Sequence, residues 1–142
     1  MSAQSQTNLA LAQQYLALFN EMPLQAEKFK SFVDPEVVWQ ELPNLLSPGG
    51  TRDLAKMLAG LEHGNKLLKE QRYLIRQAVA SGDAVALEID WNATIAQPLA
   101  ALPAGTRLNA QVAIFLEFRD GKIIGQRDYT CYHPPAPPAN NN

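Results

Sequence analysis

The chain has 142 residues, a formal net charge of −2, and 46% hydrophobic against 18% charged residues, which suits one globular, soluble domain. So small a charge gives no electrostatic reason to expect nucleic acid, and no window approaches the roughly 20 apolar residues of a membrane span. The start MSAQSQTN lacks the charged and apolar stretches of a secretory signal, and the lone Cys131 has no internal disulfide partner, so the expected location is the cytoplasm.

Residues 1–6 are expected to be flexible. Residues 8–21 then place Leu9, Ala12, Leu16 and Phe19 along one helical stripe, widened by Leu11, Tyr15 and Leu18, which predicts a well-buried helix. Pro23 punctuates the chain, and a second short helix is expected to end before Pro35. Val37–Gln40 reads as a short strand, and residues 42–50, with two prolines and two glycines, as a loop. Thr51 is the expected cap of a third helix carrying Leu54, Leu58 and Leu61, with Gly64 near its end.

From about Glu70 the apolar period changes from helical spacing to two. QRYLIRQAV, a turn at Ser81-Gly82-Asp83 and AVALEIDWNAT predict two paired strands. RLNAQVAIFLEF, an Asp120-Gly121 turn and KIIGQRDYTCY predict two more, after a long connection over residues 96–106. The Pro/Asn-rich tail, residues 134–142, is expected to be disordered. Helices first and an antiparallel run after them mean an α+β domain over residues 7–133.

Two strand carboxylates stand out, because strand interiors disfavour Asp and a half-buried charge must be paired, hydrogen-bonded or neutralised. Asp128 is a candidate pocket acid or base; the alternative is a surface Asp paired with Arg127 or Arg119. Asp90 shares a strand face with Glu88 and Asn92, while Val85, Leu87, Ile89 and Trp91 share the other. Either row could face a cavity. A homodimer is expected, and if the acids face inward its interface is the expected cover for the apolar row. Glu41 is a candidate base at a pocket mouth, and Trp39 and Tyr15 are either ligand contacts or core. Two isolated histidines and one cysteine suggest no metal, and no nucleotide fingerprint or Ser-His-Asp set is present.

The element order and the string FLEFRDGKIIGQRDY resemble the SnoaL-like branch of the nuclear-transport-factor-2-like superfamily. The resemblance spans nearly the whole chain apart from both tails. It implies a conical barrel of strongly curved antiparallel sheet roofed by the N-terminal helices. It also implies a pocket for a small hydrophobic molecule, lined in part by Val112, Ile114 and Leu116.

The WQELPN loop and the acid-bearing strands further resemble limonene epoxide hydrolases, in which Asp128 would work opposite Asp90. Where those enzymes place a bridging arginine this chain has Glu88, and where they hold water with tyrosine and asparagine it has Trp39 and Glu41. Ketosteroid isomerases place their base at Glu41 and a neutral, proton-donating acid where this chain has Ile114. Polyketide cyclases of the SnoaL type rely mainly on an acid resembling Asp128. The resemblance thus implies cofactor-independent acid–base chemistry such as cyclisation, isomerisation or hydration, by Asp128, Asp90 and Glu41. Its alternative is a binding or scaffolding protein without catalysis.

Overall fold

The computed structural model describes residues 1–138. Within them the order is α1 (Ala3–Leu18), α2 (Ala26–Lys30), β1 (Val33–Glu41), β2 (Gly50–Arg52), α3 (Leu54–Leu67), β3 (Leu68–Ser81), β4 (Ala84–Ile95), β5 (Arg107–Arg119) and β6 (Lys122–Tyr132). One curved sheet holds all of these strands in the order β2-β1-β6-β5-β4-β3. The α+β class and the curved sheet agree with the sequence. The curve stays open between β2 and β3, and β1 pairs with β6 in parallel while the other pairs are antiparallel.

Local chemistry explains where the elements begin. α1 starts at Ala3, inside the segment expected to be flexible, because the Ser2 side chain accepts the Ser5 backbone N–H. Ser5 is itself buried, and its hydroxyl donates to the Gly82 carbonyl across 3.4 Å. At α3 the cap is Asp53, not Thr51: its carboxylate accepts the Lys56 N–H at 2.9 Å. A carboxylate there also meets the positive end of the helix dipole. Thr51 lies instead in β2, opposite Gln40. The helix runs past Gly64 to Leu67 and passes directly into β3.

The two long hairpins follow the period-two pattern. In β5 the row Leu108, Ala110, Val112, Ile114, Leu116 and Phe118 is buried. Burying each of its larger members contributes about 1.5–3 kcal/mol. Asp120 and Gly121 both have positive φ, 51° and 75°. That is the primed hairpin geometry, whose twist matches the strands it joins. In β3 a bulge between Ile75 and Gln77 switches the parity, so Gln71, Tyr73 and Ile75 share the inner face with Ala78 and Ala80.

The tail departs from its expected disorder over residues 134–138. Ala136 exchanges both backbone hydrogen bonds with Arg107, at 3.0 and 2.9 Å. It is the one non-proline residue in PPAPP, so it alone there has an N–H to donate to the sheet. Residues 139–142 of that expected tail lie outside the described residues.

Against the inner face of the sheet, α1 and its C-cap Phe19 pack Ala12, Tyr15, Leu16 and Phe19 into the core. A series of ring contacts leads outward from it: Phe19 to Tyr73 at 5.0 Å, Tyr73 to Trp91 at 6.5 Å, and Trp91 to Tyr132 at 5.9 Å. These contacts hold two phenols in place at the open side of the core. Among the described residues no helix is long and apolar enough to cross a membrane.

Candidate functional site

A cavity of about 340 Å³ lies between α3 and the inner face of the sheet. Leu24, Leu61, Leu108 and Val112 give it an apolar wall, and Trp39, Glu41, Arg52, Tyr73, Asp128 and Tyr132 bring polar groups to it. The parallel pairing of β1 with β6 assembles the polar side. Its register sets Trp39 beside Gln126 and Glu41 beside Asp128, and the Leu42 N–H donates to the Asp128 carbonyl at 3.0 Å. Alternation along β6 puts Gln126, Asp128, Thr130 and Tyr132 on one face.

Asp128 is 9% exposed and has no salt-bridge partner among the described residues. Gln126 Nε2 donates to its Oδ1 at 2.9 Å, and the Tyr15 hydroxyl donates to Gln126 Oε1 at 2.7 Å. Tyr15 thus fixes which way the amide points. Burial is the main influence on the carboxyl and pushes its pKa up to about 7. The Gln126 hydrogen bond and the Trp39 indole pull it back, Glu41 adds to the rise, and Arg52 opposes it. Trp39 Nε1 is close enough to favour the ionised carboxyl, yet it is buried with no well-formed hydrogen bond.

The two phenols stay protonated near neutral pH. Burial and then Asp128 hold the Tyr73 hydroxyl well above its usual range. Burial and then Glu41 push Tyr132 up to about 12. Neither hydroxyl makes a hydrogen bond among the described residues, so both are free to donate to an oxygen in the cavity. A carboxyl that titrates near 7 can give or take a proton at neutral pH, and these donors can stabilise negative charge that develops beside it.

The sequence-predicted residues divide three ways. Asp128, Glu41, Trp39 and Val112 line the cavity together. Tyr15, Ile114 and Leu116 do not: they are fully buried in the core, with Ile114 directly across the ladder from Asp128. Tyr15 acts on the site only through Gln126.

Asp90, Glu88 and Asn92 are on the outer face, because Val85, Leu87 and Ile89 take the inner one. Asp90 accepts a 2.9 Å hydrogen bond from Arg76, and its side chain remains 36% exposed. The paired-acid site is therefore not assembled. The apolar row is covered within the chain, so the condition under which a second copy was expected to cover it is not met.

Arg52, Tyr73 and Gln126 were missed. Tyr132 was open to strand alternation, since it stands four residues from Asp128 and so shares its strand face. The alternation of Gln71, Tyr73 and Ile75 was the available signal for Tyr73. Arg52 offered none. Among the described residues no group of three or more His, Cys, Asp or Glu side chains is placed to hold a metal ion.

The fold recurs in solved structures. AclR of Streptomyces galilaeus, a candidate hydroxylase, superposes with a TM-score of 0.74 at 22% identity, over 89% of this chain and 76% of its own. IdmH of Streptomyces antibioticus, a candidate polyketide cyclase, gives 0.72 at 18% identity, over 91% and 92%. An epoxide hydrolase of M. tuberculosis like the limonene enzymes gives 0.67 at 15% identity, over 91% and 84%. At these identities the likeness is one of fold. No curated protein sequence matches the chain. Residues 12–126 match the family described as SnoaL-like domain, and the chain belongs to that family.

Proposed function

We propose that this chain binds a small, largely apolar molecule in the cavity and carries out cofactor-independent acid–base chemistry on it, with Asp128 as the proton-transferring group. Cyclisation, isomerisation and hydration are the reactions that need no more than this. The observation that carries the reading is a buried carboxyl at the cavity wall, held near pKa 7 chiefly by burial. Glu41, at the same wall, takes the place of Asp90 as the second acid. The names given to IdmH and the epoxide hydrolase support the reaction class without fixing the substrate.

The test is a turnover screen over aromatic ketones, enolisable polyketide-like compounds and epoxides, followed by Asp128→Asn. The expected loss is at least about a hundredfold, within the usual range for a general acid or base, with a wild-type rate that changes near pH 7. A variant that turns over as fast as the wild type would remove Asp128 from the chemistry. One observation favours a second reading, ligand binding without catalysis: Asp90 is on the outer face with Arg76, which leaves Asp128 without the paired aspartate. Under that reading Asp128→Asn keeps ligand affinity, and no compound in the screen is converted.

A further inference from the structure

Arg52 is the one lysine or arginine that lines the cavity among the described residues, and no salt bridge among them engages it. Two contacts fix its guanidinium. It lies over the ring of Trp39, its partner across β1 and β2, 5.4 Å from the centroid. Its Nη1 also fills the space beside Gly60, where an added Cβ would come within 2.6 Å of it. Gly60 is interior to α3, where glycine weakens a helix relative to alanine. Room for Arg52 accounts for it. The Trp39 indole N–H beside it is buried without a well-formed hydrogen bond, though it lies close enough to the Asp128 carboxyl to favour its ionised form. Guanidinium and indole only donate, so an acceptor suits this corner. A cation that acts on Asp128 only through space, with no carboxylate in salt-bridge distance among the described residues, favours an anionic one.

We infer that Arg52 receives an anionic oxygen of the ligand, so that the substrate class is an apolar molecule bearing a carboxylate or an ionised enol or phenol. This rests on the reading of the cavity as a site for an apolar ligand, and it names the polar handle of that ligand. The other titratable groups facing the cavity are Glu41, Asp128, Tyr73, Tyr132 and, from α3, His63. Arg52 has to outweigh the repulsion from Glu41. At pH 6 Asp128 is mostly neutral, which makes that the condition for the measurement.

The test is calorimetric titration of the full chain at pH 6 with 2-naphthoate, its neutral isostere 2-naphthamide, and 2-naphthol. Naphthoate is expected to bind at least about tenfold more tightly than naphthamide, as a charge-assisted contact requires. The preference should fall to near unity in Arg52→Gln. Gly60→Ala retains the arginine but displaces the flexible end of its side chain. It should weaken the preference with the melting temperature unchanged or raised.

Naphthol binding that is also lost in Arg52→Gln points to an oxygen that gains charge in the site, and binding of naphthoate alone points to a pre-formed carboxylate. Equal binding of naphthoate and naphthamide by the wild type overturns the inference and leaves the apolar-ligand reading standing. So does a preference that survives in folded Arg52→Gln. If none of the probes binds, both fall.

Discussion

Asp128 and Asp90 are the same residue in the interiors of two strands, β6 and β4, separated only by β5, yet the sheet gives them opposite chemistry. Asp128 lies across from Ile114, in the buried row of β5, and Asp90 lies across from Gln111, in the row that faces out. One carboxyl is buried beside an amide and pushed up to about 7; the other meets Arg76 in a solvent-exposed pair. Neither neighbouring sequence nor residue type separates them. Register against a shared neighbour does, because a strand side chain takes the side of the residue opposite it.

The largest expected effect follows from the cost of burying Asp128. Its pKa rises from 3.8 unfolded to about 7 folded, so the folded state binds this proton more tightly. The stability it contributes is therefore fully retained below about pH 4 and is lost as pH rises toward 7. At about 1.4 kcal/mol per unit, the full cost above pH 7 is on the order of 4 kcal/mol. Asp128→Asn, which keeps an acceptor for Gln126, should be more stable than wild type by up to about 4 kcal/mol at pH 8 and equal to it near pH 4. Urea unfolding at pH 4.5, 6 and 8 measures this. A difference that does not change with pH would show that burial does not govern this carboxyl.

A smaller effect is expected behind Asp128. Tyr15→Phe removes the donor to Gln126 Oε1 in a fully buried position, at a cost of about 1–3 kcal/mol. It also frees the amide to turn, which weakens the Gln126 hydrogen bond that holds the Asp128 pKa down. The Asp128 midpoint, followed by carbon NMR of its carboxyl, should then move above its wild-type value. If stability drops while the midpoint stays put, Tyr15 is packing alone and Gln126 is held by other means.

The contrast between the two acids also shows how far the chain could be read without coordinates. β5 was legible because its alternation is unbroken, β6 because it alternates from Gln126 onward, and Asp-Gly supplies a turn of one definite twist. Trp39, Glu41 and Asp128 were legible through the strings that carry them. The side taken by Asp90 was not, since β4 offers one polar and one apolar row and only its register with β5 chooses between them. Arg52 was out of reach for a different reason. Its place depends on a three-residue strand pairing with β1 and on the missing side chain at Gly60, contacts that no local pattern announces. Tyr73 could be placed by the alternation that precedes the bulge at Ile75, but that alternation does not extend along β3, because beyond the bulge the inward residues change parity.

The smallest expected effect belongs to the outer acid, and it tests the comparison from its other side. The Arg76–Asp90 pair is well formed at 2.9 Å, but its side chains are 56% and 36% exposed. Solvent screening and the entropy of fixing a long side chain offset most of the attraction in such pairs. Asp90→Asn and Arg76→Gln, singly and together, should leave the melting temperature within experimental error of wild type, and 0.5 M salt should not change that result. Turnover and probe binding should be untouched as well, because the sheet separates this pair from the cavity. A loss of turnover in Asp90→Asn comparable to that in Asp128→Asn would mean that the two carboxyls act on one ligand. The register of β4 against β5 would then have to differ in solution by one residue, which is the shift that exchanges its two faces.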